Sequence, residues 1–592
     1  MAGVSAATGP AARWDGNTLV SDRFGDVYAS RAGARAQAEA VFLPGCGLPE
    51  AWAGRRRFTL AETGFGTGTS LMAALDLWRR TRPCGATLHL FSVEAFPLPA
   101  ADAARALERA GLADLARPLL ARWPEAKGWH RIDWPALGAS LDLAIGDAAE
   151  ELARWQGAAD AWFLDGFAPA RNPAMWSPAL IALVRARSAP GARLASWCVA
   201  GPVRRALEAE GFAVARRPGF AGKRQRLEAR LPGTAADPPA PTVAIVGAGI
   251  AGVSLARAFA GIGVPARLLA AGPSASTNPA ALVTPRLEAG SPVAARLHAQ
   301  AFRRAVALIE TTAPEAIVAR RVERQLGPAE IARAEATIAS GHHQPGSLAP
   351  GASAEAPALW LRDALVVDPA RLLATWAPPA EPSAVAALEA DGARWRLLDP
   401  AGQMLAEADI VCLAAGPANT RLAPVRLAPV RGQVTLVEAA PPPVPLAGGA
   451  YAIPTPQGGT LVGATHQRDD LCDTPRAEDD EANLARLARQ QPDLARRLAA
   501  APRRGIAGIR AASPDRQPLA GQLADGLFLL GGLGGRGFTL APLLAEHVAA
   551  LVAGVPSPLP ADATALVDPR RPAVAARAQG VAQGGRANPS AR

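Results

Sequence analysis

Four carboxylates in the first third of the chain each close an apolar run. Glu62 ends Phe58-Thr-Leu-Ala-Glu62, and Glu94 ends Leu88-His-Leu-Phe-Ser-Val-Glu94. Asp147 ends Leu141-Asp-Leu-Ala-Ile-Gly-Asp147, and Asp165 ends Ala161-Trp-Phe-Leu-Asp165. Thr63-Gly64-Phe65-Gly66-Thr67-Gly68-Thr69 follows the first acid and leads into a helical run, Ser70 to Arg80. Strand, glycine loop, helix is the order in which backbone approaches a ligand at a helix N-terminus. The spacing ExGxGxG, acid first, is that of S-adenosylmethionine (SAM) sites, with Glu62, Gly64, Gly66 and Gly68 as contacts. A carboxylate at Glu94 can accept both ribose hydroxyls, and Asp147 is placed to meet an adenine amino group. Asp165 then lies beside the reactive methyl. SAM methylates neutral amines, yet a primary alkylamine is mostly protonated near neutral pH. A carboxylate there can bind the ammonium, orient it and accept or relay its proton. Substrate positioning alone is the other reading of Asp165.

A second loop opens further on. Thr242-Val-Ala-Ile-Val246 is an apolar strand, Gly247-Ala-Gly249-Ile-Ala-Gly252 follows, and then a helix, Val253 to Ile262. The first glycine makes the turn, the second admits a pyrophosphate and the third lets helix and strand pack. The next strand, Val264 to Leu269, ends in Ala270-Ala271-Gly272 where a ribose-binding acid is expected, which weakens a nicotinamide reading. Ala408-Asp-Ile-Val-Cys-Leu-Ala-Ala-Gly416 resembles the strand–glycine segment where flavoproteins return to their cofactor. Gly526-Leu-Phe-Leu-Leu-Gly-Gly532-Leu-Gly-Gly-Arg536 is strand, glycine loop and helix start, as beside a flavin ring. Gly505-Ile-Ala-Gly-Ile-Arg510-Ala-Ala-Ser-Pro-Asp515-Arg-Gln-Pro518 resembles the GxRxxxxDxxP block of the glycine and sarcosine oxidase superfamily. That resemblance implies FAD, held by Gly247, Gly249, Gly252, Gly416 and Gly532, and Arg510 as the anchor of a substrate carboxylate, which its fork of donors suits. Arg536 is a second candidate for the same anion or for the flavin edge.

These residues need two sheets to hold them. The chain has 592 residues, 49% of them apolar and 19% charged, which suits a globular protein with ample core and excludes a disordered one. Leu231 to Pro241, LPGTAADPPAP, cannot form core or regular helix and reads as a linker. The expected division is a methyltransferase domain over 1–235, an oxidoreductase domain over 241–568 and a basic disordered tail over 569–592. In the first domain, Gly191 to Trp197 supplies a fifth strand, and Phe212–Arg216 with Gln225–Arg230 a final hairpin. The fold class is α/β: a Rossmann-like class I methyltransferase domain followed by an FAD-binding, glycine/D-amino-acid-oxidase-like α/β + β domain.

Composition bounds the rest. Lys+Arg is 62 against 52 Asp+Glu, a balance of +10, and only Lys127 and Lys223 are lysines. So thin a charge names no anionic partner by itself. Arg204, Arg205, Arg216, Arg217, Lys223, Arg224 and Arg226 nonetheless crowd the end of the first domain, and Arg55-Arg56-Arg57 precedes its glycine loop. Such clusters contact phosphates or serve as solubilising surface. Five scattered cysteines without a CxxC fit a reducing cytoplasm, and no histidine set has metal-ligand spacing. No apolar leader and no long apolar run predict a secretory signal or a membrane span.

Asp22-Arg-Phe-Gly-Asp-Val-Tyr28, Glu62-Thr-Gly-Phe-Gly-Thr-Gly68, Ser92-Val-Glu-Ala-Phe-Pro97 and the long block Asp160-Ala-Trp-Phe-Leu-Asp-Gly-Phe-Ala-Pro-Ala-Arg-Asn-Pro-Ala-Met-Trp176 resemble the MnmC family. The similarity spans nearly the whole chain, domain order included. It implies a tRNA partner and two successive reactions at the wobble uridine. The FAD half would convert a carboxymethylaminomethyl side chain to aminomethyl with loss of glyoxylate, and the SAM half would methylate the amine. The base must be splayed from its loop to enter either site. A second reading keeps an active methyltransferase with the flavin-like half as scaffold or tRNA-binding module. A third joins an amino-acid oxidase to an unrelated methyltransferase.

Overall fold

The computed structural model describes residues 12–574 except 273, 352–356 and 378. A small hairpin opens it, with strands β1 (Ala12–Asp15), β2 (Thr18–Ser21) and β3 (Asp26–Val27) in one antiparallel sheet. Eight strands then build the first large sheet: β4 (Arg57–Glu62), β5 (Thr87–Glu94), β6 (Gly128–Trp134), β7 (Ala139–Ile145), β8 (Ala159–Phe163), β9 (Ser188–Ser196), β10 (Ala213–Pro218) and β11 (Gln225–Arg230). Their order is β10-β11-β9-β8-β4-β5-β7-β6. The five inner strands, β9, β8, β4, β5 and β7, run parallel, and antiparallel partners close both edges. Parallel strands covered on both faces read as near-continuous apolar runs, which is why Phe58–Ala61 and Leu88–Val93 are buried without alternation.

The register fixes the rim. Glu62 pairs with Phe163 and with Ser92, and Glu94 pairs with Ile145, so the acids that end these strands emerge side by side. The helix after the first loop, Thr69–Thr81, begins at Gly68, whose φ of 75° lies in the left-handed region. Arg79 and Arg80 sit in its last turn, where cations favour the helix dipole. The antiparallel edge strand β6 and the opening hairpin were absent from the sequence reading.

The second half holds two further large sheets. A six-stranded sheet runs Glu381–Pro382, Ala266–Ala270, Val243–Val246, Ile410–Leu413, Leu527–Gly531, Leu519–Ala524. Val243–Val246 is parallel to both of its neighbours, and Ile410–Leu413 is parallel to Leu527–Gly531, so their carboxyl ends also share one rim. A ten-stranded sheet includes Ala428–Val437 and Arg503–Ala512, paired antiparallel over their full length. Buried helices, Ile250–Gly261, Pro292–Thr312 and Gly537–Ala553, pack between these layers.

The expected disordered tail over 569–592 is corrected at its start. Arg571 donates to both carboxylate oxygens of Asp515, at 2.8 and 2.9 Å, and Val574 is fully buried. A bidentate ion pair and an apolar anchor hold Pro569–Val574 on the oxidoreductase half. The rest of that segment, 575–592, and residues 1–11 lie outside the described residues. The arginine cluster is also largely committed elsewhere. Arg55 pairs with Asp160 at 3.2 Å, the Arg56 backbone N–H donates to Asp237 at 2.7 Å, Arg204 pairs with Glu208 at 2.8 Å and Arg226 with Glu228 at 2.7 Å. Asp237 belongs to the linker, so Arg55 and Arg56 fasten it to the first sheet instead of standing free.

Candidate active sites

On the first rim, Glu62 is 1% exposed and accepts a hydrogen bond from the Ser92 hydroxyl at 2.9 Å. Burial and the neighbouring Asp165 hold its carboxyl well above the usual range. Glu94 clamps the glycine loop: one oxygen accepts from Gly66 N–H at 2.9 Å and the other from Phe96 N–H at 2.8 Å. Each oxygen keeps a second lone pair. Gly66 and Gly68 have φ of 53° and 75°, and a Cβ on Gly68 would meet the Phe65 ring at 2.7 Å. Gly64 faces the Asp165 carbonyl, 3.4 Å from where its Cβ would stand. Asp147 caps the helix Ala148–Arg154, accepting from Ala149 N–H at 2.9 Å and Glu150 N–H at 3.1 Å. The rim therefore brings together Glu62, the three glycines, Glu94 and Asp165, with Asp147 beside Glu94's strand.

Asp165 follows β8 and is bound to the first loop through Thr63. The Thr63 hydroxyl donates to the Asp165 carbonyl at 2.8 Å and accepts from its N–H at 3.1 Å. One carboxylate oxygen of Asp165 accepts from Gly166 N–H and from the Trp197 indole N–H, both at 2.8 Å. Burial pushes its pKa up to about 6, against those two donors and the nearby Lys223. The group is thus an anion at neutral pH that takes a proton readily. Thr63 and Trp197 were read only as loop and strand residues. Their partner, Asp165, lies 102 residues from Thr63 and 32 from Trp197, so no local pattern reveals them.

The second rim gathers the glycine turns. A Cβ on Gly252 would stand 1.7 Å from the Gly247 carbonyl, and one on Gly247, at φ 110°, would meet the Ala414 carbonyl at 2.6 Å. These are the tight turn and close helix packing of a dinucleotide loop. Gly249 is roomier, 3.2 Å from the Ser276 hydroxyl. That hydroxyl accepts from Ile250 N–H at 3.0 Å, so the segment after Ala270 brings hydroxyls to the loop where a carboxylate is missing. Gly416 and Gly534 have left-handed φ of 59° and 54° with nothing within 4 Å of their missing Cβ atoms, and Gly532, at φ 65°, backs onto Leu519. Such open glycine faces fit a flat ring system.

Arg510 lies on the strand Arg503–Ala512, opposite Val430, and packs against this loop. Its guanidinium stands 3.5 Å from the Cβ position of Gly535 and would collide, at 2.0 Å, with a Cβ on Gly432. Gly432, which sequence reasoning passed over, is what lets the side chain through. Arg510 forms no ion pair among the described residues. Arg536, next after Gly535, is pushed down to about 10 by burial and then by Arg324 and Arg286. His298 is pushed down to about 3 by burial, Arg286 and Arg536, so it is neutral, and its ring nitrogen accepts from Arg286 at 3.0 Å. Arg286 and Arg324 hold Glu288 and Glu330 at 2.9 and 2.6 Å. The rim is a cationic pocket with one committed carboxylate per flanking arginine.

Comparison with known proteins decides the family. A model of S-adenosyl-L-methionine-dependent methyltransferases matches residues 110–232, and one of FAD dependent oxidoreductases matches residues 242–551. A tRNA 5-methylaminomethyl-2-thiouridine biosynthesis bifunctional protein MnmC from a Caulobacter strain is 50% identical, over 93% of this chain and 95% of its own. The protein of the same name from Maricaulis maris is 40% identical, over 90% and 91%. The chain belongs to the MnmC family. It is an enzyme with a SAM-dependent methyltransferase half and an FAD-dependent oxidoreductase half, as the residues predicted. A solved iminodiacetate oxidase from Chelativorans sp. covers 53% of this MnmC chain and 96% of its own, at 22% identity and TM-score 0.46. No helix among the described residues of this MnmC protein is long and apolar enough to cross a membrane.

Proposed function

We propose that this protein completes a tRNA wobble-uridine side chain in two steps, in the cytoplasm. The oxidoreductase half, 241–574, converts carboxymethylaminomethyl(2-thio)uridine to aminomethyl(2-thio)uridine. The methyltransferase half, 1–235, converts that amine to methylaminomethyl(2-thio)uridine. What carries the reading is that two rims of the required types stand in one chain whose relatives match it across both halves.

Bound on these rims, FAD supplies a hydride acceptor and SAM a methyl donor. On the second rim Gly247, Gly249 and Gly252 would hold the pyrophosphate of a bound FAD, and Gly416 and Gly532 would leave room for its ring. Arg510 takes the substrate carboxylate in its two-pronged fork and so fixes the position of the carbon between nitrogen and carboxylate, whose hydride a bound FAD would accept. Arg536 adds positive charge at the same end. On the first rim Glu62, Gly64, Gly66 and Gly68 hold the methyl donor, Glu94 its ribose and Asp147 its adenine. Asp165 binds the substrate ammonium and takes its proton, and the freed lone pair attacks the methyl. Nitrogen gains the carbon as sulfur loses it.

The test is nucleoside analysis of tRNA bearing the carboxymethylaminomethyl group, incubated with the protein. Without SAM the product is the aminomethyl nucleoside, and with SAM it is the methylaminomethyl one. Persistence of the starting nucleoside under both conditions would overturn the oxidase assignment.

A further inference from the structure

Lys223 is one of two lysines among 62 basic residues. It lies in the turn between β10 and β11, and its ammonium stands 3.4 Å from the centre of the Trp197 ring. The edge of that ring donates to Asp165 at 2.8 Å. Among the described residues Lys223 forms no ion pair, and the residue is exposed while its ammonium lies over the Trp197 ring. A cavity of about 30 Å³, room for a water molecule, adjoins Lys223, Trp197, Gln37 and Gln225. The groups facing Lys223 are Asp165, Asp26 and Cys198, and the carboxyl facing Asp165 from β4 is Glu62.

We propose that Lys223 is a positioning residue for methyl transfer, acting on Asp165 through the face of Trp197. A cation over an indole is attracted to the ring face and draws electron density from the N–H at its edge. That N–H becomes a stronger donor to the Asp165 oxygen it already touches. The carboxylate is then held in one orientation and kept ionised to receive the substrate ammonium, against the desolvation that favours its neutral form. Partial desolvation lowers the Lys223 pKa, opposed by Cys198, Asp165 and Asp26.

The inference rests on Asp165 as the methyl-transfer carboxylate, and the two fail differently. The experiment is the pH profile of methyl transfer from SAM to aminomethyl-tRNA by the full chain, with flavin turnover of the same preparation as the folding control. Lys223→Met shifts the acidic limb of kcat/KM upward by about half to one pH unit, and Lys223→Arg, which keeps the cation, restores it. Trp197→Phe keeps the ring and removes the donor, and shifts the limb the same way. Lys223→Met added to Trp197→Phe moves it no further. An unmoved limb in Lys223→Met, or a rise in tRNA KM at every pH with the limb in place, overturns the inference and leaves a phosphate contact. An unmoved rate in Asp165→Asn overturns the reading beneath it.

Discussion

Arg304 of the oxidoreductase half pairs with Asp133 of the methyltransferase sheet at 2.6 Å. The same guanidinium holds Glu546, at 2.6 and 2.9 Å, and Arg131 reaches Glu546 at 3.8 Å. Arg304 is 6% exposed and Glu546 7%, so the pair is out of water and joins the helices Pro292–Thr312 and Gly537–Ala553 to β6. Removing one member of such a pair strands the others. Arg304→Met is expected to destabilise the protein by about 3–5 kcal/mol, read in urea unfolding. An unchanged midpoint in the single variant would show that the two halves do not depend on this contact.

Asp165 gives the methylation step its pH dependence. Its pKa is raised to about 6, so kcat/KM for methyl transfer should fall about tenfold per unit as the pH drops below that value. The raised value also means that the folded state binds this proton more tightly than the unfolded chain, whose carboxyl titrates near the usual ~3.9. Its contribution to stability is therefore greatest below pH ~4 and declines as the pH rises through about 6. Asp165→Asn should lower methyl transfer by about 100-fold or more while raising the melting temperature at pH ~8. Loss of both activity and stability would point to a structural role.

Arg510→Ala is expected to raise the KM of the oxidation by about tenfold to a hundredfold and leave methylation of aminomethyl-tRNA unchanged. Arg510→Lys should recover little, since a point charge cannot grip both oxygens of a carboxylate. Equal KM values for Arg510→Ala and the parent would remove Arg510 from substrate binding.

The two inner glycines of the dinucleotide loop should respond unequally. A Cβ at Gly252 would fall 1.7 Å from the Gly247 carbonyl, whereas one at Gly249 comes no nearer than the Ser276 hydroxyl, at 3.2 Å, which can rotate, and Ser274, at 3.6 Å. Gly252→Ala should abolish the flavin absorption of the purified protein, and Gly249→Ala should reduce it. Equal flavin content in the two variants would show that the loop does not close as described.

Much of both sites was legible along the chain, and for one reason. Glycine loops and strand-terminal acids are local patterns, so Glu62, the three glycines, Glu94 and Asp165 could be found without a fold. Positions that act through a distant partner were not. Trp197 meets Asp165 only because β8 and β9 lie side by side. Gly432 meets Arg510 because their strands pair. Arg571 was assigned to a loose tail because its partner, Asp515, is far away in sequence.

The two-part α/β architecture and the residues that end its strands and form its glycine loops could be read along the chain, because strand periodicity, glycine spacing and terminal acids are set by neighbouring residues; FAD came from the resemblance of the Gly505–Pro518 block. Which arginines are free among the described residues depends on strand pairing and long-range packing. Most of the basic cluster is spent on carboxylates and carbonyls, Arg510 is left without an ion pair among the described residues, beside a glycine loop, and Lys223 is carried onto the ring that touches Asp165. Charge in a sequence is only a count. Pairing, burial and distance turn it into chemistry, and those exist only once the strands are in register.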